Sequence, residues 1–141
     1  MSKLIKCNDL HYKIYVEDTD FQGFVYHANY LKFAERSRTE MLRKIKIEQL
    51  KLKNEHNIHF VVKTLYIEFF KSAILDDLLK IKSVILKITA AKIIMEQTIY
   101  NKMTLIAKID VILGSVNIKG KPSRLPKIVL NKLNTNVNPK E

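Results

Sequence analysis

The chain has 141 residues, of which 47% are hydrophobic and 28% charged, and its formal net charge at pH 7 is +11. This length suits one domain with its own core, and the composition is that of a soluble globular protein, which excludes disordered and membrane-embedded classes. No apolar run approaches the roughly 18 residues of a membrane span, and the first ten residues lack the hydrophobic segment of a signal peptide. We therefore expect a cytoplasmic protein.

Cysteine and lysine usage narrows the function classes further. The single cysteine, Cys7, excludes an internal disulfide and favours a reducing compartment, and no base near it in sequence would make it a nucleophile. The lysines are spread through every segment and are not interleaved with aromatic residues, so the charge does not predict nucleic-acid binding. A positive surface also suits a phosphate-bearing small molecule or an acidic carrier protein.

The first half of the chain predicts a strand, a loop and a long helix. Residues 11–16 (HYKIYV) are β-branched and aromatic, which is typical of a short strand. Residues 47–57 predict a shorter helix or an irregular connection. Between them, from Ala28 onward, apolar residues recur at the spacing of a helix, at Leu31, Ala34, Met41, Leu42 and Ile45.

After residue 59 the apolar period changes to two, which predicts four long strands. The first places Val61 on the same face as Leu65, and the last, from residue 105 to 113, alternates most clearly. A short hairpin turn is expected at residues 101–102. Beyond Gly114, one further glycine and two prolines predict a loss of order. We therefore predict a single domain over residues 1–130 and a mobile tail over residues 131–141.

This order of elements predicts an α+β domain in which one principal helix packs against a single antiparallel sheet. The edge strands of such a sheet need pairing or protection. We therefore expect a homo-oligomer whose subunits share a continuous sheet.

Residues 17–30 (EDTDFQGFVYHANY) place three acids within four positions just before the helix. A polar turn is the ordinary interpretation, because Asp and Gly favour turns. It leaves unexplained the apolar and aromatic side chains around the acids. Those residues predict a loop packed into a cleft, with a carboxylate in an apolar wall; they are Phe21, Phe24, Val25, Tyr26 and Tyr30.

A calcium loop is a second interpretation, because Asp18, Asp20, Gln22 and Gly23 match the spacing of an EF-hand loop. It is disfavoured, because Asn29 stands where the bidentate Glu should be and the preceding segment predicts a strand. No Cys/His cluster predicts zinc, and we expect no metal.

The third interpretation is catalytic. A carboxylate in a partly apolar loop can act as a base, and the first N–H groups of the following helix can stabilise charge on a carbonyl oxygen. No Ser-His-Asp arrangement and no G-x-S-x-G elbow is apparent. The residues alone are compatible with hydrolysis of an activated acyl group.

The chain resembles a known family over most of its length. The resemblance is carried by residues 15–43 (YVEDTDFQGFVYHANYLKFAERSRTEMLR), 60–81 (FVVKTLYIEFFKSAILDDLLKI) and 122–127 (PSRLPK). It is to the 4-hydroxybenzoyl-CoA thioesterase-like hotdog proteins and, among them, to the YbgC-type acyl-CoA thioesterases encoded with the Tol–Pal envelope system. It implies a hotdog fold, with an antiparallel sheet wrapped around a long central helix, in dimers often paired into tetramers with active sites between subunits. It also implies hydrolysis of an acyl-CoA thioester, with CoA as part of the substrate and no cofactor.

The resemblance implies roles for particular residues. The family's catalytic carboxylate falls on Asp20, which would act as a base on water or as a nucleophile, and the backbone N–H that polarises the thioester carbonyl falls on His27. Asp18 would shape the loop. Tyr26 would line the acyl pocket or simply pack, and Asn29 would cap the helix or position Asp20.

The sequence departs from the family at the residues that hold the nucleotide of CoA. Benzoyl-CoA relatives use a run of basic residues near the hairpin before the third long strand, where this chain reads LKITAAKIIM and offers only Lys87 and Lys92. An acidic acyl carrier protein, which presents the same thioester arm, fits the basic surface as well. Glu35 on the central helix is a further candidate carboxylate, although an ion pair with Arg36 is favoured. The alternative from another class is a non-catalytic module that binds acyl-CoA or acyl carrier protein in lipid metabolism.

Overall fold

The computed structural model describes residues 3–4, 9–135 and 138–139, so Cys7 lies outside the described residues. No helix in the described part of the chain is long and apolar enough to cross a membrane. The elements are β1 (Lys3–Leu4), β2 (Leu10–Lys13), a short 3-10 turn (Val16–Asp18), α1 (Asn29–Lys44), α2 (Gln49–His56), β3 (Ile58–Phe69), β4 (Leu78–Ile88), β5 (Lys92–Asn101), β6 (Thr104–Asn117), α3 (Lys127–Thr135) and β7 (Asn138–Pro139).

Five strands form one antiparallel sheet in the order β2-β4-β5-β6-β3, and β1 pairs separately with β7. Strict alternation produces the inner face of β5, where every second residue from Ile93 to Ile99 is buried, while the intervening side chains are only half-buried. The predicted α+β order is therefore confirmed, with the sheet curled around α1. Its two edges are β2, with four residues, and β3, with twelve.

Helix α1 buries one face against the sheet. The buried positions follow the helical spacing of three and four residues and are Tyr30, Phe33, Ala34, Ser37, Arg38, Met41 and Leu42. The prediction that Leu31 belongs to this face is wrong, because Leu31 lies one residue, or 100° of rotation, beyond Tyr30 and is exposed.

A buried polar network fixes α1 on the sheet. The Arg38 guanidinium donates to Gln97 Oε1 at 2.9 Å, and Gln97 Nε2 donates to the Ala34 carbonyl and to Ser83 Oγ, each at 2.9 Å. Burial lowers the pKa of Arg38, and the charge of Glu35 opposes that shift. Because these bonds join the middle of α1 to β4 and β5, they set the position of the helix along the strands.

A bulge in β3 reverses the alternation that the sequence predicts. The pairing of β3 with β6 shifts register between Val62 and Thr64. Phe60 packs against the core before the shift and Leu65 after it, so the inner face changes from even to odd residue numbers. The prediction that Val61 shares a face with Leu65 is therefore wrong.

The expected loss of order beyond Gly114 is also wrong. Strand β6 continues to Asn117, and α3 then packs Val129 and Leu133 into the core. The Lys132 ammonium donates to the Lys46 carbonyl at 2.7 Å, which ties α3 to the end of α1. The predicted boundary at residue 130 falls inside α3. Four residues of the predicted tail, 136–137 and 140–141, lie outside the described part of the chain.

Candidate active site

The acidic loop folds into a small hairpin that precedes α1. Thr19 bridges Val25, the Asp20 N–H donates to the Phe24 carbonyl at 2.8 Å, and the Tyr26 N–H donates to the Asp18 carbonyl at 2.9 Å. The turn is closed by the Gly23 N–H on the Asp20 carbonyl at 3.0 Å. Gly23 has φ +88°, which only glycine adopts freely, so its presence in the acidic stretch allows this turn.

Asp20 lies at the turn of this hairpin. Its Oδ1 accepts hydrogen bonds from the backbone N–H groups of Gln22 at 2.9 Å and of Phe24 at 3.4 Å. These bonds orient the carboxylate, and none of the described residues donates to Oδ2. The expected apolar wall is absent from the single chain, because the Asp20 side chain is exposed and its neighbour Phe21 is fully exposed.

Asp18 lies at the base of the hairpin and is occupied by the protein's own donors. Its Oδ2 accepts from the Tyr15 N–H at 2.9 Å, and its Oδ1 accepts from the side-chain amide of Asn29 at 3.1 Å. Asn29 is the first residue of α1 and is buried, and no side chain caps this helix. Asn29 therefore holds Asp18, and the alternative that its side chain caps the helix is wrong. That Asn29 helps to position Asp20 stays a prediction.

His27 lies at the entry to α1, two residues before the helix begins. Its imidazole packs beside the Tyr26 ring, with centroids 4.6 Å apart, and edge-on to the Phe69 ring at 6.4 Å. Within residues 9–135 its backbone N–H has no hydrogen-bond acceptor. The structure thus places an oriented carboxylate and an available N–H on one continuous hairpin and helix entry.

The segment before β4 supports the hairpin, and no pattern in the sequence predicts this support. The Val25 N–H donates to the Ala73 carbonyl at 2.9 Å, and the Ala73 N–H donates to the buried Tyr30 hydroxyl at 3.1 Å. Burial raises the pKa of Tyr30, and the bond from Ala73 opposes that shift. A tyrosine within a helical apolar pattern predicts an ordinary core residue. The hydrogen bond that its hydroxyl accepts from Ala73 could therefore not be predicted.

Comparison with known proteins identifies the family. A family model described as the thioesterase-like superfamily matches residues 14–133. The chain belongs to this superfamily. It is 42% identical to a Haemophilus influenzae protein named acyl-CoA thioesterase YbgC, over 83% of this chain and 87% of that one, and 39% identical to an Escherichia coli protein named acyl-CoA thioester hydrolase YbgC, over 84% and 89%. The crystal structure of a probable thioesterase from Bartonella henselae has a TM-score of 0.81 at 38% identity, covering 84% of this chain and 98% of that chain.

These findings confirm the resemblance to the thioesterase-like hotdog proteins and the predicted fold. The residues expected to hold the nucleotide are nevertheless far from the hairpin within one thioesterase chain. Lys87 and Lys92 flank the β4–β5 turn, whereas the start of β4 lies next to β2 and the hairpin. The nine residue-to-residue steps from Leu78 to Lys87 span about 30 Å at the usual rise of a strand. Both lysines are exposed, and the single chain does not bring them together with Asp20.

Glu35 does not form the expected ion pair. Its carboxylate accepts a hydrogen bond from the Thr39 hydroxyl, one turn along the exposed side of α1. The Arg36 guanidinium lies instead over the ring of Tyr12, 5.8 Å from its centroid. Glu35 lies six residues, or about 9 Å, along α1 from Asn29, and no hydrogen bond among the described residues joins it to the hairpin.

Proposed function

We propose that this chain is an acyl-CoA thioesterase in which Asp20 supplies the carboxylate and the His27 N–H binds the carbonyl oxygen of the thioester. The names of the relatives support the activity. The observation that carries the assignment of residues is the pairing, along one hairpin, of an oriented carboxylate with an N–H that lacks an acceptor.

The chemistry follows from these two groups. Asp20 takes a proton from water as the water oxygen bonds to the carbonyl carbon; the C–S bond then breaks, and Asp20 returns the proton to the departing thiolate, which leaves as the thiol. In the alternative, the Asp20 carboxylate attacks the carbonyl carbon itself, and the C–S bond breaks to leave an anhydride on Asp20 and a thiolate that takes a proton from solvent. Water then hydrolyses the anhydride to the free acid and restores Asp20. In either route negative charge grows on the carbonyl oxygen, where the His27 N–H and the positive end of the α1 dipole lower its energy.

We infer that the working enzyme is a homo-oligomer, a dimer or tetramer, that covers the hairpin. The twelve-residue edge strand β3 leaves backbone groups open to a second copy. Exposed rings surround the hairpin, which is unusual for a solvated surface and fits a cleft closed by a partner; they include Phe21, Phe24, Tyr26, Phe69 and Phe70. Tyr26 would line the acyl pocket of that cleft. Acyl carrier protein as an additional substrate, and a cytoplasmic location, are part of this proposal.

The deciding experiment measures thiol release from a panel of short, long and aromatic acyl-CoAs. We expect the wild type to hydrolyse some of them and Asp20→Asn to lower turnover at least about 100-fold, since a positioned base is lost. Asp110→Asn, which changes an exposed aspartate on β6, is the matched control and should retain full activity.

Two results would contradict the proposal. A wild type that is inactive on every acyl-CoA, and also on an acylated carrier protein, would favour the binding module. If Asp20→Asn retains activity, the chain is still a thioesterase but Asp20 is not its catalytic carboxylate. Glu35→Gln would then be tested next.

The oligomer is tested separately. Light scattering on a sizing column should give the mass of a dimer or tetramer, and amide exchange should be slow along both sides of β3. A monomer of 16.5 kDa would contradict the shared sheet.

A further inference from the structure

A cavity of about 360 Å³ lies between β2, the 3-10 turn and the first two turns of α1. Its volume is within the range of small-molecule sites. Asp18 belongs to its lining, whereas Asp20, Tyr26 and His27 do not. Because Asp20 follows Asp18 by two residues, their Cα atoms are at most about 7 Å apart. The cavity therefore adjoins the proposed active site without being part of it.

Three cations from two elements converge on this cavity. Lys13 ends β2, and Lys32 and Arg36 lie one turn apart on α1. Throughout residues 9–135, no carboxylate lies within ion-pair distance of any of the three. The three cations outnumber the two carboxylates in the same lining, Glu17 and Asp18, so the cavity has a net positive charge that favours a bound anion.

The arrangement leaves the donors of Arg36 available. Its guanidinium lies over the Tyr12 ring, which itself stacks on Phe33 with centroids 5.5 Å apart and planes at 16°. The ring contact uses none of the N–H groups of Arg36, and no acceptor among the described residues takes them, so they remain for a ligand. An arginine held in this way can bind phosphate in a bidentate manner.

The other lining residues set the direction of the ligand. Glu17 and Asp18 lie at the turn, and both oxygens of Asp18 already accept hydrogen bonds, which directs an anion toward β2 and α1. Tyr15 lines the same cavity with an exposed ring. An exposed ring beside a phosphate site is a surface on which a nucleobase can stack.

We propose that this cavity binds the nucleotide part of CoA, with Lys13, Lys32 and Arg36 on its phosphates and Tyr15 against its base. The inference rests on the proposed thioesterase function and specifies its substrate. The flexible arm that carries the thioester then runs from the cavity past Asp18 to Asp20. In this assignment Lys87 and Lys92, which flank the β4–β5 turn about 30 Å from the start of β4, do not hold the phosphates of the same chain's substrate.

The kinetic test compares an acyl-CoA with the pantetheine thioester of the same acyl group, which lacks the nucleotide. For the triple variant Lys13→Gln, Lys32→Gln, Arg36→Gln we expect KM for the acyl-CoA to rise at least about tenfold with little change in kcat, since charge-assisted bonds to phosphate are lost. Hydrolysis of the pantetheine thioester should not change. The control variant Lys51→Gln, Lys53→Gln, Lys119→Gln removes the same charge from exposed lysines elsewhere and should behave as wild type.

Three kinetic outcomes would overturn the assignment. The first is an acyl-CoA KM that the cavity variant leaves at the wild-type value, and the second is an equal effect on the two thioesters. The third is the same rise in KM on changing Lys87 and Lys92 to Gln while the cavity variant stays unaffected.

Direct binding separates this proposal from the thioesterase activity, because it needs no turnover. Calorimetry with adenosine 3′,5′-bisphosphate should show binding to wild type that the cavity variant loses and Tyr15→Ala weakens. Inorganic pyrophosphate should bind more weakly and without dependence on Tyr15. If wild type hydrolyses no acyl-CoA but binds the bisphosphate in this manner, the proposed function fails and the nucleotide site stands. Binding of pyrophosphate alone would identify a free phosphate site and overturn the nucleotide assignment, as would binding of neither probe.

Discussion

The side-chain amide of Asn29 donates a hydrogen bond to the Asp18 carboxylate across 3.1 Å. This bond joins the first residue of α1 to the base of the hairpin that carries Asp20. Because Asp18 also accepts the Tyr15 N–H, its carboxylate links the end of the β2 segment, the hairpin and the helix. The first acid of the D-x-D stretch is thus engaged within the fold, and the second is exposed at the turn.

Exchange of the two side chains tests this link. Asn29→Asp alone places two carboxylates at hydrogen-bond distance, and we expect it to lower the free energy of unfolding by about 2 kcal/mol at pH 7. Protonation of one carboxylate relieves the repulsion, so the loss should shrink toward pH 4. The double variant Asp18→Asn, Asn29→Asp restores an amide–carboxylate pair and should recover most of the stability in urea unfolding. A double variant as unstable as the single one would contradict the link.

The Tyr30 hydroxyl is predicted to stabilise the fold through Ala73. Tyr30→Phe leaves the Ala73 N–H without its acceptor, and we expect a loss of about 1–3 kcal/mol in the free energy of unfolding. Tyr66→Phe, at an exposed position on β3, should cost almost nothing. Equal free energies of unfolding of the two variants in urea titrations would show that the Tyr30–Ala73 hydrogen bond does not stabilise the fold.

The raised pKa of Tyr30 gives the pH dependence a definite sign. Above the ordinary tyrosine pKa of about 10, the unfolded chain loses this proton while the folded chain retains it. The folded state then binds more protons, so stability falls as pH rises above 10, by up to about 1.4 kcal/mol per pH unit for one group. Tyr30→Phe should flatten this part of the stability curve, and an unchanged slope would contradict the assignment.

The Arg38–Gln97 pair is expected to be strongly coupled. Gln97→Met removes the acceptor of a buried guanidinium, and we predict a loss of about 2–3 kcal/mol. The double variant Arg38→Met, Gln97→Met should lose less free energy of unfolding than the two single variants added together. In the double variant no buried guanidinium and no buried amide is left without its partner. Additive losses in a double-mutant cycle would show that the pair does not interact.

Two glycines provide a matched test of the hairpin. Gly23 has φ +88° and Gly120 has φ +77°, and an added Cβ at either position meets no atom within 4 Å. Ala at each position should therefore cost a similar 1–2 kcal/mol or so from backbone strain alone. Only Gly23→Ala should also lower thioester hydrolysis, because it distorts the turn that orients Asp20. Equal rates of thioester hydrolysis by the two variants would show that the geometry of the Gly23 turn does not affect catalysis.

Periodicity predicted most of the fold, and its failures have physical causes. Long strands and the central helix follow from spacings of two and of three to four residues, and those predictions hold. The face of Val61 is set by a bulge, which depends on how β6 pairs with β3 and leaves no mark in local spacing. The burial of Arg38 depends on Gln97, 59 residues away. Helix α3 follows a segment of glycine and proline, whose composition gave no indication that the chain would return to the core.

In the candidate site, too, local sequence predicts one part and tertiary packing determines the other. The Asp20 hairpin was recognisable because its composition is unusual within one short stretch. The cavity formed by Lys13, Lys32 and Arg36 was not, because each cation is ordinary in a lysine-rich chain and only tertiary packing gathers them. The sequence marks Asn29 as a polar residue at the helix entry, but its partner follows only from the packing of that entry beside Asp18.

The bonds that shape the hairpin are mostly between backbone groups, including those of Asp20 with Phe24 and of Val25 with Ala73. Side chains at the tip, such as Phe21 and Gln22, take no part in holding it and project outward. They can be exchanged without disturbing the carboxylate or the helix entry. The surface beside the Asp20 carboxylate is therefore open to change, by evolution or by engineering, at positions that contribute little to folding.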